Sequence, residues 1–145
     1  MPLPRPELGL VVNYGFVWSS ADRRAPPDLG KDRPCLIVDL HEVEDIPGRK
    51  TLRVTYLPIS HTRPRAGESA KLISPRVANH LGLTTERSYL YTNYACEDDW
   101  PFELSQVPGH TGRFHYGLIP PRLFDAVAEE FRNYLRRRPD LVHRR

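Results

Sequence analysis

Proline and glycine punctuate this chain so densely that long regular elements are excluded over most of its length: 145 residues carry fifteen prolines and nine glycines. Proline lacks a backbone N–H and glycine costs entropy inside an element, so the sequence reads as short strands joined by irregular loops. Residues 8–14 (LGLVVNY) are predicted as a first strand, running on toward Trp18. Residues 19–32 (SSADRRAPPDLGKD) follow as a polar loop of 14 residues, a length usually associated with function or mobility. Residues 35–40 form a continuous apolar run, as in a central strand covered on both faces. HEVEDIPGRK reads as an acidic, hairpin-like connection turning at Pro47-Gly48. Residues 51–59 alternate Leu52, Val54 and Tyr56 against Thr51, Arg53 and Thr55, which predicts a further strand. SYLYTNY (88–94) and RFHYGLI (113–119) complete the set.

Two helices stand out against this background. Ser74 is an N-cap candidate, Pro75 suits the first helical position, and Gly82 is a stop signal; Val77 and Leu81 would face inward. PPRLFDAVAEEFRNYLRRR carries Leu123, Phe124, Val127, Phe131, Tyr134 and Leu135 at helical spacing, opened by Pro121 and ended by Pro139. Acidic Asp125, Glu129 and Glu130 precede the closing arginines, in the sense the helix dipole favours. Strands and helices do not alternate, so a doubly wound parallel sheet is not expected. The predicted class is mainly β with some α: a partly open barrel of short antiparallel strands, a short helix and a C-terminal helix. One domain is expected, with residues 8–119 as the barrel, 120–138 as the terminal helix and 139–145 as a basic tail.

The net charge of +3 is unevenly spread, because residues 136–145 hold five arginines and one aspartate. The remaining residues sum to about −1, so the body is not basic in bulk. Polyanion binding would need a local patch such as Arg63, Arg65, Lys71 and Arg76, with the tail either as an auxiliary arm or as a solvated, frayed terminus. Cys35 reads as a small core residue, and with Cys96 it makes no CxxC spacing. No stretch approaches the roughly 18 apolar residues of a membrane span, and the first residues lack a secretory pattern, so a cytoplasmic location is expected.

Phosphate-binding glycine loops, HExxH, GxSxG and calcium loops are all absent from the sequence. The six histidines follow no metal-ligand spacing, and no metal or cofactor is expected. The segment YLPISHTRPR nevertheless gathers hydroxyls, an imidazole and guanidinium groups where a strand ends. With GLVVNYGFVW and GKDRPCLIV before it and SYLYTNYACEDDW after it, the order of segments over residues 9–100 resembles the PemK/MazF family of toxin ribonucleases. That family enters on a strand, has a Gly-x-x-Arg-Pro-type strand, and ends a later strand in Pro-[Ile/Leu]-[Thr/Ser].

The resemblance implies an SH3-like barrel, a homodimer, a cognate antitoxin as partner, and metal-independent cleavage of single-stranded RNA by the RNA's own 2′-OH. No protein nucleophile is then needed; the chain must move protons and stabilise charge on phosphate. The matched motifs put Arg33 at the scissile phosphate and Ser60 where the family has threonine. Local chemistry adds His61 as acid or base, with Arg63 holding phosphate, and Thr62 and Arg65 beside them as RNA contacts. Tyr91 and Asn93 fall where some members carry an arginine and an aspartate, and are assigned to RNA binding. Asn93 cannot act as a carboxylate base, so either His61 takes that duty or the site binds without cleaving. Plainer roles fit the same residues: Arg33 in a salt bridge with Asp32 or Asp39, Ser60 and Thr62 satisfying a turn, His61 at the surface, and the tyrosines packed in the core. A non-catalytic module binding nucleic acid or protein, or a toxin that poisons gyrase, are the alternative functions.

Overall fold

The structure, a computed structural model, describes residues 3–17, 32–83 and 86–144. The predicted loop at 19–32 lies outside these residues except for Asp32. The elements run β1 (Leu10–Gly15), β2 (Asp32–Ile46), β3 (Arg49–Ser60), β4 (Ala70–Leu72), α1 (Pro75–Leu81), β5 (Tyr89–Tyr91), β6 (Ala95–Asp99), β7 (His115–Leu118), α2 (Pro121–Arg137) and β8 (Val142–Arg144). The strands form one sheet in the order β4-β5-β3-β2-β1-β7, with β6 on β3 and β8 on β6. Every pairing is antiparallel except β6 with β8, and the described strands do not close on themselves. The class is therefore mainly β with some helix, a partly open barrel, as expected, although β2 and β3, at 15 and 12 residues, exceed the short strands that the proline and glycine punctuation implies.

Strands β2 and β3 make the long hairpin on which everything else is laid. Their register runs from Cys35 opposite Pro58 to Ile46 opposite Arg49. HEVEDIPGRK is thus not a loop: its two halves are paired arms, and only Pro47-Gly48 turns, with Gly48 at φ 83°. Opposite charges facing each other across the ladder, Glu44 with Lys50, explain why a polar run holds strand geometry. Arg53 reinforces the arm by bonding Asp45 at 3.2 Å and Asp99 at 3.1 Å.

The predicted strand 88–94 is cut short to β5, and β6 begins only after it, at Ala95. β5 pairs with the end of β3, Ile59 opposite Leu90, whereas β6 pairs with its middle, Tyr56 opposite Cys96. Thr92 and Asn93 form the corner between them. The basic tail departs most from expectation, since it is neither a frayed end nor an arm. Leu141 is buried in the core, Val142–Arg144 adds a parallel strand, and Arg144 reaches Asp99 at 3.4 Å and Glu97 at 3.9 Å.

Alternation on the central strands feeds two cores. Val11, Leu36, Leu57 and Ile59 face one side with Leu81 of α1 and Val127, Ala128 and Phe131 of α2. Val12, Tyr14, Cys35, Ile37 and Tyr56 face the other, where the Tyr14 and Tyr56 rings stack 3.9 Å apart. Cys35 to Val38 are thus covered on both faces, as the run's composition predicts, whereas Asp39 is exposed and Leu40 half-buried. Helix α1 is capped as expected: Ser74 Oγ accepts from Val77 N–H, and Gly82 ends it in the left-handed region at φ 72°. No described helix is long and apolar enough to cross a membrane.

Helix α2 is fastened to the sheet by a polar clamp. Glu130 accepts hydrogen bonds from Ser69 Oγ and from Thr92 Oγ1 at 2.6 Å, and Lys71 Nζ lies 3.0 Å from its other oxygen. Burial pushes this carboxyl up, but its three donors outweigh that and hold it below its ordinary 4.5. The clamp's contribution is therefore complete above about pH 4.5 and is lost as pH falls through the lowered folded value. Glu130→Ala should cost about 1–3 kcal/mol by removing the charged acceptor that the Ser69 and Thr92 hydroxyls and Lys71 share. Thermal unfolding from pH 7 to pH 3 should show a lower Tm at neutral pH and a shallower acid limb in Glu130→Gln than in the wild type.

Candidate functional site

Because both faces of its middle are buried, the central hairpin carries its polar residues toward its two ends, the charged arm at Pro47-Gly48 and the open end. Continuing the register of Cys35 with Pro58 by two residues brings Arg33, at the start of β2, opposite Ser60, at the end of β3. Pro34 and Pro58 lie just inside this end and supply no N–H, which thins the ladder there. Arg33 and Ser60 are each only 8% exposed, and with His61 and Thr62 they line a pocket of about 430 Å³. That volume falls within the roughly 300–1,000 Å³ of pockets that enclose small molecules.

Ser60, His61 and Thr62 are each held. Ser60 Oγ accepts the Thr62 N–H at 3.1 Å, so the turn reading of this hydroxyl is correct as far as it goes. A hydroxyl used as an acceptor still has its own hydrogen to donate. His61 Nδ1 lies 2.8 Å from the carbonyl oxygen of Arg87 and 3.5 Å from Ser88 Oγ. A carbonyl can only accept, so Nδ1 carries the proton and the neutral ring has its lone pair on Nε2. The Tyr91 hydroxyl donates to the Thr62 carbonyl at 2.6 Å and ties the turn to β5.

The other predicted contacts lie elsewhere. The Tyr91 ring is buried and meets Tyr94 edge-on with centroids 5.8 Å apart, so it offers no face to a base. Burial, then the Glu68 carboxylate, push its hydroxyl up to about 12. Asn93 bonds the Ser69 N–H at 3.1 Å and the Gly67 carbonyl at 3.4 Å, bracing the turn after Arg65. Arg65 pairs with Glu68, which also accepts from the Tyr94 hydroxyl at 2.6 Å. Arg63 is exposed and outside the pocket lining. The proposed basic patch is thus diluted, because Lys71 and Arg65 both carry carboxylate partners.

The pocket also includes groups that the sequence alone does not assign to it. Asn13 from β1, Asp32 beside Arg33, Tyr116 from β7 and His110 from the turn before β7 all reach it. An amide inside the apolar run LVVNY was a legible signal for Asn13. Nothing local distinguishes His110, which is brought in by the β6–β7 connection. Among the described residues no group of three or more His, Cys, Asp or Glu is placed to hold a metal ion.

Tyr91 acts on the site through Thr62. Tyr91→Phe should lower stability by about 1 kcal/mol through the lost hydrogen bond and loosen the turn at 60–62. Denaturant unfolding reads the first effect, and faster amide exchange at Thr62 and Arg63 reads the second. Comparison of the chain with protein-family models, curated proteins and solved structures finds no match in any of the three.

Proposed function

We propose that this chain is an endoribonuclease that cleaves single-stranded RNA by attack of the RNA's own 2′-OH. The observation that carries the reading is the convergence of a buried guanidinium, a hydroxyl and an oriented imidazole on one pocket, from Arg33, Ser60 and His61. The resemblance to PemK/MazF toxins supports it through the same segments, GKDRPCLIV and VTYLPISHT. In this reading His61 Nε2 takes the 2′-OH proton as the 2′-oxygen bonds to phosphorus. Arg33 and the Ser60 hydroxyl stabilise the charge that builds on the non-bridging oxygens. The P–O5′ bond breaks, and His110 acts as the general acid that gives the 5′-oxygen its proton. The products are a 2′,3′-cyclic phosphate and a 5′-OH, and every proton-transfer group is a side chain. The biological role that goes with this chemistry is a cytoplasmic growth-inhibiting toxin, acting as a homodimer and neutralised by an antitoxin protein.

A second reading, an RNA-binding module without cleavage, is favoured by one observation. Tyr91 and Asn93 are committed to holding turns and leave no acid/base pair on the β5–β6 segment. The two readings separate in one assay. Purified protein incubated with a mixed-sequence RNA should yield cyclic-phosphate ends at a rate unchanged by EDTA. Arg33→Ala and His61→Ala should each lower that rate by about 10²-fold or more. Binding with no scission, or scission equal in Arg33→Ala, would reject the catalytic assignment.

A further inference from the structure

Asn13 is 3% exposed, yet it lines the same pocket as Arg33. Its amide is locked. Nδ2 donates to the Gln106 carbonyl at 2.8 Å and to Ser105 Oγ at 3.0 Å, which uses both of its hydrogens. The orientation follows from chemistry, because only the NH₂ end can face the Gln106 carbonyl. Its backbone is equally fixed, with Asn13 N–H on the Phe114 carbonyl at 3.0 Å and the Asn13 carbonyl accepting from Ser105 N–H at 3.0 Å. No hydrogen bond from a described residue reaches Oδ1. The pocket therefore has a rigid acceptor on its β1 wall that cannot turn into a donor. Around it the walls are apolar, from Pro34, Ile59, Leu83 and Val107, with the Tyr116 ring beside them.

We infer that this wall is a nucleobase subsite in which Asn13 Oδ1 selects a base with an exocyclic amino group and rejects uracil. The inference rests on the RNA reading of the pocket and adds its specificity. Adenine and cytosine each offer an amino hydrogen at the edge of a flat ring, which the apolar walls can enclose. Where cytosine carries its 4-amino group uracil carries a carbonyl oxygen, so a fixed acceptor placed at that edge meets an acceptor. A site built to accept a hydrogen bond discriminates strongly against a ligand lacking the donor, because its buried acceptor is then left unpaired. Arg33 on the adjoining strand, Asn13 lying opposite Pro34 in register, would hold the phosphate attached to the selected base.

The test deletes the amino group from the ligand, so that no protein variant needs to fold. Titrations of the wild-type chain with AMP, CMP, UMP and purine riboside 5′-monophosphate, followed by calorimetry or NMR, give four dissociation constants. AMP and CMP should bind about tenfold or more tightly than UMP and the purine riboside nucleotide. In Asn13→Ala, with folding checked by circular dichroism, that preference should disappear. Equal binding of all four nucleotides, binding of none, or a preference that survives in Asn13→Ala would each overturn the subsite. The outcome is separable from the cleavage reading: preference without RNA scission sustains the subsite and removes the enzyme, and scission without preference does the reverse.

Discussion

Burial of both faces of the β1–β2–β3 core is the constraint from which the rest of the structure follows. Successive residues such as Val11 and Val12, Leu36 and Ile37, or Tyr56 and Leu57 go to opposite cores, and each is fully buried. A one-residue slip in register would exchange the two cores and bury the wrong shapes, so the pairing of Cys35 with Pro58 is strongly specified. Polar chemistry is thereby expelled from the middle of the sheet to its ends. One end is the charged arm that turns at Pro47-Gly48; the other is the pocket. Arg33 and Ser60, far apart in sequence, line one pocket because the register brings the two strand ends together.

What could be read from the sequence tracks how local the determining interaction is. Helix α1 was legible because Ser74, Pro75 and Gly82 act within a turn of their own positions, and α2 because its apolar residues repeat with one period. The hairpin turn was legible for the same reason. β8 was not, since three residues carry no periodicity and their partner strand β6 lies more than forty residues earlier. The corner at Thr92-Asn93 was hidden because SYLYTNY keeps strand-like composition through the bend. There β3 exchanges one neighbour for another, a decision made by its own length. Glu130 illustrates a second limit. Its place on the helix suggested a dipole effect, whereas its carboxylate points at Ser69, Thr92 and Lys71 of the sheet.

The site divides along the same line. Arg33, Ser60, His61 and Thr62 flank two strand ends, so a motif read along the chain finds them, and the pocket unites them. Tyr91 and Asn93 were assigned by their position on a later strand, and their side chains are instead committed to Thr62, Ser69 and Gly67. They support the turns that carry the site. Asn13, His110 and Tyr116 come from β1, the turn before β7, and β7 itself, and only the folded sheet brings them to Arg33. In this account a proton acceptor in His61, a phosphate-binding guanidinium in Arg33 and a fixed amide in Asn13 form one surface, built at the end of the hairpin opposite the charged arm.

The claim that this strand-end pocket is where RNA engages the chain is tested most directly by amide NMR of the labelled protein titrated with a short 2′-O-methyl RNA, which can bind but cannot be cleaved. The account predicts shift changes concentrated at Asn13, Arg33, Ser60, His61, Thr62 and His110, with little change along the charged arm 41–53 or the C-terminal strand 142–144. Changes centred on the arm or on the arginine-rich end of α2, with the pocket residues unmoved, would contradict it.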